Sequence, residues 1–180
     1  MRIEVRIAGF GGQGVILAGV VLGRAAAVYE GLEAVQTQSY GPEARGGASR
    51  SDVIVSDEEK IMFPYVREPD HLVVMSQEAY DKYIGDVKSD GLVVYDSTLV
   101  EPSRGDVEHV GVPATEKAEE ELGLRIVANM IMLGAYRELT DIVSFDSLRN
   151  AVMDSVPPGT EETNEKALRL GAELAEGGAD

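Results

Sequence analysis

The chain has no cysteine and no tryptophan among its 180 residues. The missing thiols exclude a disulfide framework, a thiolate nucleophile, a cysteine zinc site and any iron–sulfur cluster held by this chain's own side chains. Basic residues are also scarce: 16 Lys and Arg stand against 32 Asp and Glu, a formal net charge of −16. Non-specific nucleic-acid binding needs clustered cations to displace counterions, so no nucleic-acid partner is expected. No apolar run approaches the roughly 18 residues of a membrane helix. The start, Met-Arg-Ile-Glu-Val-Arg-Ile, alternates polar and apolar residues and lacks a signal-peptide core. A cytoplasmic protein with no membrane partner is the expectation. His71 and His109 are isolated, without carboxylates or thiols at metal-ligand spacing, so no metal site is expected. Phosphate-loop (G-x-x-x-x-G-K-[ST]) and nucleophile-elbow (G-x-S-x-G) patterns are absent, and no complete catalytic set is visible.

What is present is a folding sequence. An apolar fraction of 44% is too high for a disordered chain, and 180 residues fit one α/β domain with a real core. Arg2 to Ala8 alternates with period 2 and reads as a strand. Val15 to Tyr29 is an apolar, small-residue run suited to a buried helix that Gly31 can end. Glu33 to Gln38 reads as the next strand, which makes a right-handed strand–helix–strand unit with parallel strands. Further strands are expected at Asp52 to Val55, Lys60 to Phe63 (an antiparallel addition), His71 to Met75, Leu92 to Tyr95 and Glu108 to Val112. Glu78 to Ile84 suits a crossover helix. Helices are expected at Thr115 to Leu122, with a capping residue at its start, and at Ile126 to Leu139, Phe145 to Ser155 and Glu161 to Ala175. The fold class is a three-layer Rossmann-like α/β domain, with a mostly parallel, partly mixed sheet. Met130, Met132 and Met153 read as core, Glu116 to Glu121 as a solvated helix face, and Asn129 as a buried amide in need of partners.

Two glycine-rich loops stand out. Gly9-Phe10-Gly11-Gly12-Gln13-Gly14 follows a strand and opens a helix, so the backbone can approach a phosphate at a helix N-terminus. The acidic residue that would hold a ribose after the second strand is missing, since that strand ends Gln36-Thr37-Gln38. A ligand-free glycine turn is the alternative. The second loop, Tyr40-Gly41-Pro42-Glu43-Ala44-Arg45-Gly46-Gly47, sets an aromatic, an acid and an Arg among glycines. Arg45 can clamp a phosphate or carboxylate, Tyr40 can stack or hydrogen-bond, and Glu43 can position Arg45; a structural loop with an internal Glu–Arg pair is the alternative. Charge points to the same region. Residues 1–50 carry five basic and four acidic groups, a net of +1, so the remaining 130 carry −17.

The two loops together resemble the gamma subunit of the 2-oxoacid:ferredoxin oxidoreductases over nearly the whole chain. The resemblance includes the Pro113-Ala114-Thr115 turn, the Asn129 helix and Asn164-Glu165-Lys166-Ala167. It implies a subunit, inactive alone, of a complex that converts a 2-oxoacid and coenzyme A to acyl-CoA and CO2 while reducing ferredoxin. Thiamine diphosphate, Mg and iron–sulfur clusters would sit on alpha, beta and delta partner subunits, in keeping with the missing cysteine. The stand-alone form weakly favours 2-oxoglutarate over pyruvate. This chain would bind no cofactor alone but would share a coenzyme A site. The implied contacts are Gly9, Gly11, Gly12, Gln13 and Gly14, with Tyr40, Glu43 and Arg45 at the cleft or subunit seam. The isolated chain would be free to form a homodimer. The competing expectations are a self-sufficient nicotinamide- or flavin-binding protein and a ligand-free scaffold subunit.

Overall fold

The computed structural model describes residues 1–39, 47–58 and 60–177. Strand β1 (Arg2–Phe10) alternates as its sequence does: Val5 and Ile7 enter one hydrophobic core, while Arg6 and Ala8 face the other side of the sheet. Helix α1 (Val15–Arg24) starts at Gly14, whose φ of 75° needs glycine, and Ala25–Tyr29 continue it as one π-helical turn. The run therefore ends as expected at Gly31, with φ 69°.

The next strands are β2 (Glu33–Gln38), β3 (Ala48–Ser56), β4 (His71–Val74), β5 (Leu92–Asp96) and β6 (Glu108–Val112), in the sheet order β2-β3-β1-β4-β5-β6. β3 runs antiparallel to both β1 and β2, with Val5 opposite Val53 and Gln36 also opposite Val53. The β1–β4, β4–β5 and β5–β6 pairs are parallel. The sheet is thus mostly parallel and partly mixed. β1 and β2 share a direction but are not neighbours, because β3 lies between them.

The antiparallel strand expected at residues 60–63 does not form. β1 is already flanked by β3 and β4, and Ile61, Met62 and Phe63 do not alternate. The antiparallel addition is β3 itself, which begins four residues before the expected Asp52.

Helices α4 (Ala128–Thr140), α5 (Phe145–Ser155) and α6 (Glu161–Gly177) join α1 on one face, over Val5, Val53, Val73 and Val94. Helix α2 (Gln77–Tyr83) covers the other face, with Tyr80 and Tyr83 against Leu72, Val74 and Val93. Met130 and Met132 are core, and Met153 is half-buried. Helix α3 (Ala114–Leu122) follows β6 and keeps Glu116, Glu119, Glu120 and Glu121 exposed. The capping residue expected at its start is absent: Pro113 occupies that position and offers no side-chain acceptor.

Two buried polar groups fix the sheet. Arg6, 1% exposed, donates from Nε and Nη2 to the two Asp52 oxygens at 2.8 and 3.1 Å. Its Nη1 reaches Asp86 at 2.7 Å and Nη2 the Val66 carbonyl at 2.9 Å, with the Tyr83 ring 5.0 Å away. Burial works against the charge, but the carboxylates prevail and hold the guanidinium above its ordinary pKa.

His71 Nδ1 lies 2.8 Å from the Tyr136 hydroxyl. Burial lowers its pKa from the ordinary 6.5, against the pull of Asp70. The unfolded chain then binds a proton that the folded chain refuses. Stability is full above about pH 6.5 and is lost as pH falls through the depressed folded value. Melting temperature is expected to drop as pH falls below about 6.5, with a shallower slope in His71→Gln. An identical slope in that variant would remove His71 as the cause.

Candidate functional site

β1 and β4 are adjacent and parallel, yet their following helices leave on opposite faces of the sheet and lead in opposite directions along it. In an open α/β sheet this switch point leaves a crevice at the carboxyl ends of the two strands. Two hollows lie there and share Gly12, Gln13 and Arg125. The smaller, about 270 Å³, adds Met75, Thr115, Ile126 and Ala128. The larger, about 470 Å³, adds Phe10, Gly11, Ser76, Gln77 and Leu99.

The glycine loop is built by internal bonds. Gln13 accepts from the Phe10 amide through Oε1 and donates from Nε2 to the Met75 carbonyl at 2.8 Å, which stitches β1 to the end of β4. A Cβ on Gly9 would stand 2.6 Å from Gln13 Oε1, so Gly9 makes room for that stitch. Gly12 has φ 97° and is exposed, as is Gly11. A Cβ on Gly14 would stand 2.4 Å from Asn129 Nδ2. Asn129 donates to the Gly14 carbonyl at 3.1 Å and accepts from the Met130 amide at 2.8 Å. Asn129 is therefore the structural hydrogen-bonder its burial requires, tying α4 to the start of α1.

Four helix starts face the cleft, and they differ in what they leave free: at α2, Ser76 caps the helix by accepting from the Ala79 amide. At α3, Asp96 is fully buried and accepts from the Thr115 amide and hydroxyl at 3.1 and 2.6 Å, and Thr98 accepts from the Glu116 amide. At α4, the Met130 amide is taken by Asn129. At α1 no side chain caps the helix and no acidic residue stands in the first turn. Its backbone bonds begin with the Ala18 amide to the Gly14 carbonyl, so the amides of residues 14–17 are the ones an anion can take, the Gln13 amide being bonded to the Phe10 carbonyl.

Arg125 supplies the nearby cation. Its ion pair with Glu119 is long, 3.5 Å, and exposed on both sides, so it holds the guanidinium only weakly. Phe10 and Ile126, in the lining of the two hollows, are 46% and 52% exposed. The cleft can hold an anion at its centre and apolar groups on either side.

Of the residues singled out from sequence, Gly11, Gly12 and Gln13 line the cleft; Gly9 and Gly14 shape it from behind. Gln13's side chain is already spent on structure. Tyr40, Glu43 and Arg45 lie outside the described residues. Arg125, Met75 and Ile126 were missed; Arg125's one signal is a lone cation inside an apolar run. A dinucleotide site also loses its geometry, because β2 is separated from β1 by β3, and its end is not beside the glycine loop. His71 and His109 pair with Tyr136 and Tyr80, away from any metal set. Among the described residues no group of three or more candidate metal ligands occurs, and no helix is long and apolar enough to cross a membrane.

Residues 4–174 match the family described as pyruvate ferredoxin/flavodoxin oxidoreductase. A 2-oxoglutarate synthase subunit KorC from Methanocaldococcus jannaschii is 57% identical, over 97% of this chain and 95% of that protein. Among solved structures, the gamma subunit of keto/oxoacid ferredoxin oxidoreductase from Geobacter sulfurreducens is 43% identical at a TM-score of 0.87, covering 97% of this chain and 99% of that one. A 2-oxoglutarate:ferredoxin oxidoreductase from Magnetococcus marinus, with 2-oxoglutarate, coenzyme A and succinyl-CoA bound, is 27% identical at a TM-score of 0.87. It covers 99% of this chain, which spans 32% of that longer one.

Proposed function

We propose, from the premise that the chain belongs to the pyruvate ferredoxin/flavodoxin oxidoreductase family, that it is the gamma-type subunit of a 2-oxoglutarate:ferredoxin oxidoreductase and that its glycine-loop cleft takes the anionic part of coenzyme A. The whole of residues 1–180 would serve as one domain of that complex. In the reaction the carboxylate of the 2-oxoacid leaves as CO2, two electrons pass to ferredoxin, and the acyl group is joined to the coenzyme A sulfur. Carbon chemistry on thiamine diphosphate and electron transfer through iron–sulfur clusters belong, in this proposal, to alpha, beta and delta partners. This chain carries no thiol that could hold a cluster.

The observation that carries the coenzyme A assignment is the uncapped start of α1 at the sheet's switch point, with Arg125 beside it. The α1 amides and the Arg125 guanidinium can hold phosphate oxygens. Met75 and Ile126 on one side, and Phe10 and Leu99 on the other, suit the apolar parts of the same molecule. So held, the thiol arm is free to extend toward a partner's reaction centre. Gly9, Gly11, Gly12, Gln13 and Gly14 are the proposed cradle. Tyr40, Glu43 and Arg45 stay proposed as contacts at the cleft or subunit seam.

In the assembled complex, Arg125→Ala is expected to raise the KM for coenzyme A about 10-fold, the worth of one charge-assisted hydrogen bond. The kcat and the KM for 2-oxoglutarate should stay near wild type, and Arg125→Lys should recover part of the loss. Steady-state kinetics with coenzyme A varied decides it. An unchanged KM in an intact complex would favour a scaffold role without ligand contact.

A further inference from the structure

The segment from Lys60 to Arg67 has no regular secondary structure and carries the most exposed large apolar side chain among the described residues, Met62 at 84%. Phe63 and Tyr65 follow at 61% and 66%, with their rings edge to face at 5.6 Å. Such side chains on an irregular strap are costly to leave in water unless something covers them.

The strap is held from behind. Val66, between the exposed residues, is 6% exposed, and its carbonyl accepts from Arg6, which Asp52 and Asp86 clamp in turn. A buried ion network fixes the backbone, so the aromatic groups are presented with little ordering left to do on contact. That is the economical way to build an interface anchor.

The hollow beside the rings, about 580 Å³, is lined by Arg2, Arg67 and Lys88 against Glu4 and Glu68. This is a local excess of one cation in a chain of −16. Arg2 pairs with Glu4, and Lys88 with Asp70. Arg67 has no ion pair among the described residues. The cation left over is therefore Arg67.

We propose that residues 60–67 are the strap by which this chain docks onto the subunit carrying the catalytic remainder of the complex. That subunit would offer an apolar recess to Phe63 and Tyr65 and a carboxylate to Arg67. The assignment rests on the subunit role proposed above. In the Magnetococcus protein the same fold occupies 32% of one longer chain, so its neighbour is attached covalently. The KorC relative, of which this chain spans 95%, is named as a subunit, and a subunit must find that neighbour by contact, with an anchor that the fused form does not need. A second copy of this chain fits less well, since two bodies of −16 repel. The hollow beside the rings takes in Arg2 and Glu4 of β1, and the cleft takes in Phe10; six to eight residue steps of strand separate them by about 20–26 Å. Docking and ligand binding are therefore separable.

The test is the affinity of the purified chain for the other subunits, measured by titration with a labelled chain, with sedimentation to record any homodimer. Phe63→Ala/Tyr65→Ala is expected to weaken docking about 100-fold at unchanged melting temperature, because both side chains are exposed. Arg67→Glu is expected to weaken it about 10-fold. Val28→Ser, at an exposed apolar position elsewhere, should stay within about twofold. Wild-type docking matched by the double variant would overturn the strap and leave the subunit role standing. A variant that loses only a homodimer would overturn the chosen partner. A wild-type chain that never joins the other subunits would overturn the subunit role, and the strap with it.

Discussion

Gly171→Ala is expected to lower the unfolding free energy by about 3 kcal/mol, although alanine is the better helix former by about 1 kcal/mol. The reason is the closeness of α4 and α6. A Cβ at Gly171 would lie 1.9 Å from the Ile131 carbonyl oxygen and 2.9 Å from the Ala135 amide nitrogen. Its counterpart at Gly134 would lie 2.0 Å from the Leu168 carbonyl oxygen. These are backbone atoms of the facing helix, so no side chain can rotate away. The helices must part, and Met130, Ile131, Leu133 and Leu168, all buried between or beside them, lose contacts. The Gly134→Ala/Gly171→Ala double variant should lose less than the sum of the singles, because one separation relieves both clashes. Denaturant unfolding followed by circular dichroism measures this. A Gly171→Ala protein as stable as wild type would show that the helices are not held at this distance.

The second large effect falls on Arg6. Arg6→Met keeps most of the length of the side chain but strands Asp52, 5% exposed, with only Arg50, at 3.8 Å, as a cation among the described residues. Breaking a buried pair from one side costs about 3–5 kcal/mol, far more than the pair itself is worth. Asp86 is half-exposed and can turn to water. Arg6→Met/Asp52→Leu, which removes both charges, is therefore expected to recover most of the loss. Equal stability of single and double variants in chemical denaturation would contradict this. The single variant should also loosen the strap, since the Val66 carbonyl loses its donor.

Much of this fold is legible in the sequence because its periodicity is undisturbed. His71 to Met75 and Leu92 to Tyr95 read as buried strands and are buried strands; Phe145 to Ser155 matches α5 at both ends. β3 shows where the pattern runs out. Its first residues, Ala48-Ser49-Arg50-Ser51, are small and polar, yet Ser51 is fully buried because Gly19 on α1 brings that helix down onto it. Burial there is set by a glycine more than thirty positions away, which no local window contains. The strand expected at residues 60–63 does not form because β1 already has both its neighbours, and Met62 and Phe63 there face solvent while Ile61 is half-buried.

The cleft divides in the same way. The glycine loop is legible because strand, turn and helix are consecutive. Arg125 is not, because its place beside Gly12 depends on how three crossovers fold back over the sheet. The missing carboxylate after β2 was readable, but its structural counterpart, the insertion of β3 between β1 and β2, was not.

That insertion also dictates the order in which the chain can form. The neighbours of β1 are β3 and β4, and both are synthesised long after it. At about 5–20 residues per second, the first strand and α1 wait several seconds on the ribosome with no sheet partner. The β2–β3 pair, by contrast, joins elements adjacent in the chain and can form as a hairpin as soon as residue 56 emerges. Assembly of the sheet therefore begins at its edge and captures the older central strand afterwards, so the first residues made are among the last to be protected.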